Sequence, residues 1–377
     1  MSRSAGKCTE AVQSRKPVIR GIQMKKIVLT GGGTAGHVTP NIALMPELKK
    51  RGYDIYYIGS YDGMEKQMIE DTGIPYYGIA TGKLRRYFDL KNFTDPFKVI
   101  KGYAEARSYL KKTAPDVLFS KGGFVAVPVV RAAHSLKIPI IIHESDMTPG
   151  LANKLCIPVA DKVCCNFPET VQYLPAEKAV LTGSPIRQAL LSGDREKGLS
   201  FCGFTDEKPL ILVTGGSLGA VGVNNAVRAV LPSLLKTYNI VHLCGKGKLD
   251  ESFDGTPGYV QYEFISEELP DLMAAADLVI SRAGANAICE LLALKKPNIL
   301  IPLPKGSSRG DQILNARSFK KQGFSYVIQE EDISDEKFLK IINGVYKNRD
   351  KYIQAMSESA GSNAIEIIAE LADSLAV

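Results

Sequence analysis

Two glycine-rich stretches decide the fold: KKIVLTGGGTAGHVTPN at residues 25–41 and LILVTGGSLGAVGVNN at residues 210–225. Each combines a short apolar run, a threonine, several glycines and a following stretch with helical character. A strand that turns into a helix through glycines leaves backbone N–H groups unpaired at the positive end of the helix dipole, where they can bind a phosphate. Two such loops, about half a chain apart, predict two similar α/β domains that face a shared cleft.

The apolar pattern around the glycine loops supports this division. Short apolar runs alternate with longer amphipathic ones, which predicts parallel sheets covered by helices on both faces. In such sheets a ligand binds beyond the carboxyl ends of the strands, where both loops lie. The predicted strands are residues 27–29, 55–58, 117–119, 140–142, 210–213, 240–243, 278–280 and 299–301.

Length and composition limit the class of protein. The chain has 377 residues, of which 45% are hydrophobic and 23% charged, as is typical of a soluble globular protein with two domains. No apolar run approaches the roughly 18 residues that a membrane-spanning helix needs. The seven cysteines form no CxxC pair, and the four histidines lack HExxH spacing. These patterns predict a reduced, cytosolic protein without a disulfide framework or a metal site.

Four segments follow from the charge and the breaks in the pattern. Residues 1–23 carry five basic residues and one acidic residue and lack the apolar core of a signal peptide, so we expect a disordered extension. A Gly-, Pro- and charge-bearing link at residues 182–198 separates two domains, predicted at residues 24–185 and 186–355. Residues 356–377 are predicted to form a C-terminal helix that packs back toward the N-terminal domain.

The first glycine loop also has the GxGxxG spacing of a dinucleotide site, through Gly31, Gly33 and Gly36. That function expects an acidic residue about 20 positions later, at the end of the second strand, to hold a ribose. Here the strand ends in Gly59 and Ser60 instead. No GK[ST] follows either glycine run, so a Walker loop is excluded. Dinucleotide binding therefore remains only an alternative to another kind of phosphate site.

His37 directly follows Gly36 at the start of the first predicted helix. The positive end of a helix dipole lowers the pKa of a histidine and favours a neutral imidazole, which can accept a proton. His37 is therefore a candidate general base. The alternative is a histidine that only caps or packs the helix.

The segment SRAGANAICELLALKKP, at residues 281–297, places Glu290 on a helix among apolar neighbours. A lone helical glutamate is usually a solvated surface residue, but this one is predicted to point into a cleft from a buried helix. A carboxylate can accept hydrogen bonds from two ribose hydroxyls. The polar loop that follows, at residues 302–316, offers Asp311 and Gln312 as partners for sugar hydroxyls.

The segment GKLRRYFDLKNFTDPFKVIKGY, at residues 82–103, interleaves six basic residues with aromatic ones. This pattern fits an anionic membrane surface. It also fits single-stranded nucleic acid or an ordinary exposed loop. The predicted membrane-facing residues are Lys83, Leu84, Arg85, Arg86, Tyr87 and Phe88.

Taken together, these motifs resemble the MurG family, the N-acetylglucosaminyltransferases of bacterial cell-wall synthesis. The resemblance covers about residues 25–375 and is more specific than any single glycine motif. It rests on motifs that occur in family order: GGGTAGHVTPN, GSYDGMEKQ, GKLRRY, SKGGFVAVPV, HESDMTPGLANK, TGSPIR, TGGSLGA, SRAGANAICE and SRGDQILNA.

The resemblance implies a GT-B glycosyltransferase, with two Rossmann-like parallel-sheet domains facing a cleft. The N-terminal domain is expected to hold the polyprenyl-linked acceptor and to face an anionic membrane surface, and the C-terminal domain to hold UDP-GlcNAc. The implied reaction is an inverting transfer of GlcNAc to the 4-hydroxyl of undecaprenyl-pyrophosphoryl-MurNAc-pentapeptide. It takes place at the cytoplasmic face of the membrane, where the enzyme is peripheral, with no cofactor, no metal and no nucleic-acid partner.

The same resemblance implies roles for individual residues. His37 is the candidate base. The donor-binding residues are Arg187, Gly216, Ser217, Phe264, Ile265, Glu290, Asp311 and Gln312. The acceptor-side residues are Thr34, Ala35, Gly36, His143, Glu144 and Asn153.

Three positions depart from forms of the family pattern: Phe124 stands where some members have Tyr, Asp146 replaces an Asn, and Leu218 replaces a Gln. Two other functions stay open. One is another GT-B UDP-sugar enzyme, either a glycolipid glycosyltransferase or an epimerase, and the other is a non-catalytic nucleotide-binding regulator.

Overall fold

The structure is a computed structural model that describes residues 24–82, 95–216, 219–305, 310–359 and 363–376. Its strands form two sheets, one in each half of the chain. The first sheet contains β1 (Lys25–Thr30), β2 (Tyr53–Ser60), β3 (Tyr76–Ile79), β4 (Val117–Ser120), β5 (Ile140–Glu144), β6 (Lys162–Cys165) and β7 (Ala179–Leu181). The second contains β8 (Leu210–Thr214), β9 (Asn239–Leu243), β10 (Tyr259–Tyr262), β11 (Leu278–Ser281), β12 (Asn298–Leu300) and β13 (Tyr326–Val327).

Helices connect the strands and cover both sheets. The helices of the first half are α1 (Thr39–Lys50), α2 (Met64–Glu70), α3 (Asp95–Thr113), α4 (Ala126–Ser135) and α5 (Leu151–Cys156). Those that follow are α6 (Gln188–Leu191), α7 (Arg195–Phe201), α8 (Val221–Leu234), α9 (Leu269–Ala275), α10 (Ala285–Ala293), α11 (Asp311–Lys321), α12 (Asp335–Lys347), α13 (Arg349–Ser357) and α14 (Ala364–Leu375).

The two sheets share one topology. Their strand orders are β3-β2-β1-β4-β5-β6-β7 and β10-β9-β8-β11-β12-β13, and neighbouring strands pair in parallel. The order reverses between β1 and β4 in the first sheet and between β8 and β11 in the second. A crevice opens at such a reversal, beyond the carboxyl ends of the strands, and there ligands bind. The predicted fold, two parallel-sheet α/β domains, is confirmed.

All eight predicted strands lie on observed strands, although the last is shifted by one residue, to Asn298–Leu300. Five observed strands were not predicted: β3, β6, β7, β10 and β13. Four of these are the edge strands of their sheets. An edge strand is covered less completely, so its sequence lacks the continuous apolar run that marks the central strands, such as β4, whose four residues are all buried.

The last helix packs against the first sheet, although it follows the second in sequence. Ile368, Ala369 and Ala372 of α14 belong to the same apolar cluster as Leu44 and Leu48 of α1. Burial of these side chains removes apolar surface from water, which stabilises the contact. The chain therefore returns to its N-terminal half after the second sheet.

Asp373 adds a polar contact to this packing. Its carboxylate accepts hydrogen bonds from Arg51 Nη1 at 2.8 Å, from Tyr53 Oη at 3.0 Å and from Lys25 Nζ at 3.2 Å. Desolvation acts to raise the pKa of Asp373, but the hydrogen bonds from Arg51, Lys25 and Tyr53 outweigh it and lower the pKa from its usual value. The ionised carboxylate therefore stabilises the docked helix.

We expect Asp373→Asn to reduce the stability of the protein by about 1 kcal/mol at neutral pH, since the contact is partly exposed. A lowered folded-state pKa gives stability that is present above the unfolded pKa of about 4 and lost as the pH falls through the folded pKa. The melting temperatures of variant and wild type should therefore converge in acid. Glu370→Gln, an exposed position on the same helix, is the control. A difference in melting temperature between Asp373→Asn and wild type that stays constant from neutral to acid pH would contradict a stabilising role of the ionised carboxylate.

Candidate active site

The first glycine loop leads from β1 into α1 and packs too closely for side chains. Gly33 has a φ of +84°, and a Cβ on it would lie 2.4 Å from the ring of Phe124. A Cβ on Gly31 would lie 2.6 Å from the carbonyl oxygen of His37. Both positions therefore require glycine. Of the predicted acceptor-side residues, Thr34 is exposed here, and Ala35 and Gly36 lie in the short 3₁₀ turn that ends at His37.

His37 lies at the base of this loop, with its Nδ1 2.9 Å from Thr34 Oγ1. Burial, reinforced by the positive charge of Lys121, lowers the pKa of His37 to about 4. The imidazole is therefore neutral at physiological pH. With the proton on Nδ1, facing the Thr34 hydroxyl, Nε2 keeps the lone pair that a general base requires.

Three predicted acceptor-side residues are buried near the carboxyl end of β5: His143 and Glu144 end the strand, and Asn153 lies on α5. Glu144 accepts hydrogen bonds from the backbone of Asp146 and Gly150 at 2.9 and 3.0 Å, and from Asn153 Nδ2 at 2.8 Å. His143 is fully buried, and its Nε2 lies 2.9 Å from the carbonyl oxygen of Gly183. These contacts favour a role in shaping the loop, and contact with the acceptor stays a prediction.

Two buried charges beside the first loop were not singled out from the sequence. Lys121 directly follows β4, and its Nζ lies 2.9 Å from His143 Nδ1. Glu65 of α2 accepts hydrogen bonds from the backbone N–H groups of Gly33 at 3.2 Å and Ser60 at 3.0 Å. Both lie within motifs of the family pattern, SKGGFVAVPV and GSYDGMEKQ, but their burial appears only in the fold.

The second glycine loop repeats the close packing of the first. Gly219 has a φ of +66°, and a Cβ on it would lie 2.1 Å from the carbonyl oxygen of Cys244. Its N–H donates to the carbonyl of Gly216 at 2.8 Å, which closes the turn between β8 and α8. Ser217, predicted as part of the diphosphate cradle, lies outside the described residues.

Glu290 of α10 and Arg187, at the N-terminal end of α6, lie close enough for their charges to interact. Burial raises the pKa of Glu290, and the nearby positive charge of Arg187 opposes this shift. Within the described part of the chain, Arg187 Nε is buried without a hydrogen-bond partner. A half-buried carboxylate beside a guanidinium is a suitable environment for a polar ligand group.

The other predicted donor residues are spread around the carboxyl ends of the second sheet. Phe264 is 68% exposed and Ile265 is buried, both just after β10. Asp311 and Gln312 begin α11, where Gln312 Oε1 accepts a hydrogen bond from the Leu303 N–H at 3.1 Å. An exposed aromatic ring beside a buried aliphatic side chain provides a surface on which a planar base can stack.

The two crevices face each other. Asn286, at the start of α10, donates through Nδ2 to the carbonyl oxygen of Gly36 at 3.1 Å. Asp146, after β5, has its pKa raised to about 6 by burial, with further contributions from Glu144 and from Asp311 of the other domain. The loops that follow β1 and β5 thus meet helices α10 and α11 across a cleft. The membrane-facing residues predicted at 83–88 lie outside the described residues.

Comparisons with known proteins agree with this geometry. The family model for the glycosyltransferase family 28 N-terminal domain matches residues 27–165, and the C-terminal domain model matches residues 210–371. A UDP-N-acetylglucosamine–N-acetylmuramyl-(pentapeptide) pyrophosphoryl-undecaprenol N-acetylglucosamine transferase from Lachnoclostridium phytofermentans is 66% identical, over 92% of this chain and 97% of its own. The protein of the same name from Clostridium botulinum is 60% identical, over 92% of this chain and 98% of its own.

Solved structures give the same result. The crystal structure of Acinetobacter baumannii MurG is 26% identical and has a TM-score of 0.73, covering 93% of this chain and 99% of its own. A UDP-GlcNAc 2-epimerase from Neisseria meningitidis has a TM-score of 0.65 over 92% of this chain and 99% of its own, but its 14% identity shows only a shared fold. The chain therefore belongs to glycosyltransferase family 28 and, within it, to the MurG family.

Proposed function

We propose that this chain transfers GlcNAc from UDP-GlcNAc to the 4-hydroxyl of MurNAc in undecaprenyl-pyrophosphoryl-MurNAc-pentapeptide, with inversion at the anomeric carbon. The relatives at 60–66% identity are named as transferases of N-acetylglucosamine from UDP-N-acetylglucosamine to N-acetylmuramyl-(pentapeptide) pyrophosphoryl-undecaprenol. The observation that carries the proposal is the pair of facing crevices. One contains a neutral His37, and the other contains the second glycine loop and, on α10, Glu290 close to Arg187.

In the proposed reaction, the first crevice supplies the base and the second stabilises the leaving group. The 4-hydroxyl oxygen attacks the anomeric carbon of GlcNAc, its proton passes to His37 Nε2, and the bond to the UDP oxygen breaks with its electron pair on UDP. A positioned base contributes about 10²–10⁴-fold. Backbone N–H groups of the second glycine loop and the N-terminus of α8 stabilise the charge of the departing diphosphate.

The donor is proposed to lie along the second sheet. Glu290 accepts hydrogen bonds from the ribose hydroxyls, and Phe264 and Ile265 form the uracil pocket with Arg187. Asp311 and Gln312 bind the GlcNAc hydroxyls at the start of α11, where they face the acceptor loop. This arrangement places the anomeric carbon between the two crevices.

The test is transfer of labelled GlcNAc from UDP-GlcNAc to a short-chain polyprenyl-pyrophosphoryl-MurNAc-pentapeptide. Product that forms only with both substrates, carrying an inverted linkage, supports the proposal. Release of UDP without the acceptor would indicate an epimerase-type reaction. Binding of UDP-GlcNAc without any turnover would indicate a regulator.

The acceptor's polyprenyl tail stays in the bilayer, so the enzyme is proposed to bind the cytoplasmic membrane surface peripherally. In the part of the chain that the structure describes, no helix is long and apolar enough to span a bilayer. Helix α3 exposes Phe97 and Ile100, which are 74% and 65% accessible and three residues apart. In the sequence they follow the basic and aromatic residues 83–88, and exposed apolar side chains near basic residues suit a surface of anionic lipid.

We expect Glu290→Ala to raise the donor KM by about tenfold or more, because a hydrogen bond to a charged group contributes about 1.5–3 kcal/mol. Isothermal titration with UDP-GlcNAc should show the same loss. Glu336→Ala removes an exposed carboxylate of the same domain and serves as the control. An unchanged donor affinity in the Glu290 variant would contradict the ribose assignment.

His37→Ala should lower kcat by about 10²-fold or more while leaving the donor affinity unchanged. The kcat/KM of the wild type should fall as the pH drops through the pKa of His37, about 4, because only the neutral imidazole accepts the proton. Steady-state kinetics against pH measure both effects, with His134→Ala, an exposed histidine at the end of α4, as the control. A loss of less than about tenfold would leave His37 as an acceptor-positioning residue.

Binding to vesicles should have two separable components. Lys83, Arg85 and Arg86 changed together to Ala should remove the salt-sensitive component, since each cation contributes about 1 kcal/mol near an anionic surface. Phe97→Ser with Ile100→Ser should reduce the component that persists at high salt. Sedimentation with neutral and anionic vesicles measures both, and Leu249→Ser, an exposed position in the other domain, is the control. Equal binding of the wild type to neutral and anionic vesicles would contradict a role of these basic residues in membrane binding.

A further inference from the structure

Two buried groups of opposite charge lie on either side of the loop that carries His37, and the mechanism above uses neither. In the first sheet β1 lies between β2 and β4. Glu65 follows β2, and Lys121 follows β4, so the two groups adjoin the β1 loop from opposite directions. Glu65 is fully buried and Lys121 is 1% exposed.

We propose that Lys121 and Glu65 are positioning residues that act on the protonation of His37, with Lys121 disfavouring the imidazolium and Glu65 stabilising the imidazolium formed during transfer. The link to catalysis rests on the proposed function of His37 as the base. The control of protonation itself rests on the geometry of the two buried charges.

Lys121 is fixed at the reversal point of the first sheet. Its backbone N–H donates to the Thr30 carbonyl at 2.9 Å, and its Nζ donates to Ser145 Oγ and to His143 Nδ1. The Nε2 of His143 faces the Gly183 carbonyl, which can only accept. His143 therefore carries its proton on Nε2 and offers the Nδ1 lone pair to the ammonium group. Lys121 thus hydrogen-bonds to a neutral ring, which leaves its charge uncompensated by that contact.

The other groups that face Lys121 are the carboxylates of Glu144 and Asp146 and the thiols of Cys164 and Cys289. Burial lowers the pKa of Lys121 to about 8, against the opposing influence of these groups. The lysine is therefore mostly protonated at neutral pH. Its charge is one cause of the low pKa of His37, second to burial.

Glu65 acts on the same ring from the other side. Its carboxylate accepts hydrogen bonds from the Gly33 and Ser60 backbones and from Ser60 Oγ at 2.5 Å. These donors hold it beside the loop, where a Cβ on Gly32 would lie 2.7 Å from its carboxyl carbon. Its negative charge raises the pKa of His37.

Among the residues that the structure describes, the other polar contacts of His37 and its loop are with uncharged groups. The Thr34 hydroxyl lies beside Nδ1, and a hydrogen bond from the ring to the Gly32 backbone acts to raise the pKa of His37. From the opposite domain, Asn286 contributes a neutral amide that donates to Gly36. The two buried charges are therefore the groups whose removal should shift the pKa of His37 in opposite directions.

The experiment is an NMR titration of the protein with isotope-labelled histidine, in which His37→Gln assigns the His37 signal. Lys121→Met should raise the pKa of His37, and Glu65→Gln should lower it, each by about one unit. Lys121→Arg retains the charge and should leave the pKa near the wild-type value. Should Lys121→Met be too unstable, Lys121→Gln removes the charge while keeping a donor toward His143.

Melting temperatures and UDP-GlcNAc affinity show whether each variant is folded and still binds the donor. A shift of the His37 pKa in the same direction in both variants, or no shift in either, would overturn the proposal. An equal rise in Lys121→Arg and Lys121→Met would also overturn it, because packing and not charge would then be responsible. Opposite shifts of the His37 pKa in the two variants support the action of the two charges. If the acid limb of kcat/KM does not move with these shifts, His37 is not the base. Failure of this proposal is therefore distinguishable from failure of the proposed function of His37.

Discussion

The architecture of the site depends on how closely the first glycine loop passes its neighbours. A Cβ on Gly31, Gly32 or Gly33 would lie within 3 Å of the His37 carbonyl, the Glu65 carboxylate or the Phe124 ring, respectively. This close approach brings the backbone to the reversal point of the sheet and sets His37 at the mouth of the crevice. It also excludes water from the two buried charges, which strengthens their effect on the imidazole because electrostatic interactions grow as the local dielectric falls.

The two sheets share one topology, and in each a basic residue follows the strand at the reversal point. The contacts of these two basic residues differ. Lys121 directly follows β4, and Arg282 directly follows β11, so each lies at the reversal point of its sheet. Arg282 forms an ion pair with Glu330 and donates to the carbonyls of Ile301 and Pro302 at 3.0 and 3.1 Å. Lys121 contacts a neutral histidine instead. The same position therefore holds a structural ion pair in one domain and a charge that acts on the proposed base in the other.

The sequence was sufficient for the fold because glycine spacing and buried apolar runs are local signals. It also placed His37 in the turn between β1 and α1, where it ends a 3₁₀ turn two residues before α1 begins. The predicted cause of its low pKa was the helix dipole, whereas the structure gives burial and the charge of Lys121. The sequence was not sufficient for Lys121 and Glu65, because a lysine after a strand and a glutamate in a short helix normally have solvated side chains. Their burial arises only when β2, β1 and β4 align side by side. The buried contacts of His143, Glu144 and Asn153 likewise depend on how the chain folds after β5.

The cleft itself carries charge that a ligand must compensate. Asp311 of the second domain disfavours the ionised form of Asp146, which follows β5 in the first domain. Burial raises the pKa of Asp146 to about 6, and repulsion from Glu144 and Asp311 adds to this shift. Sugar hydroxyls placed between Asp146 and Asp311 would donate hydrogen bonds to both, which replaces repulsion by attraction. On the proposed function, the hydroxyls of GlcNAc therefore offset the repulsion between carboxylates of the two domains at the point where the donor meets the acceptor loop.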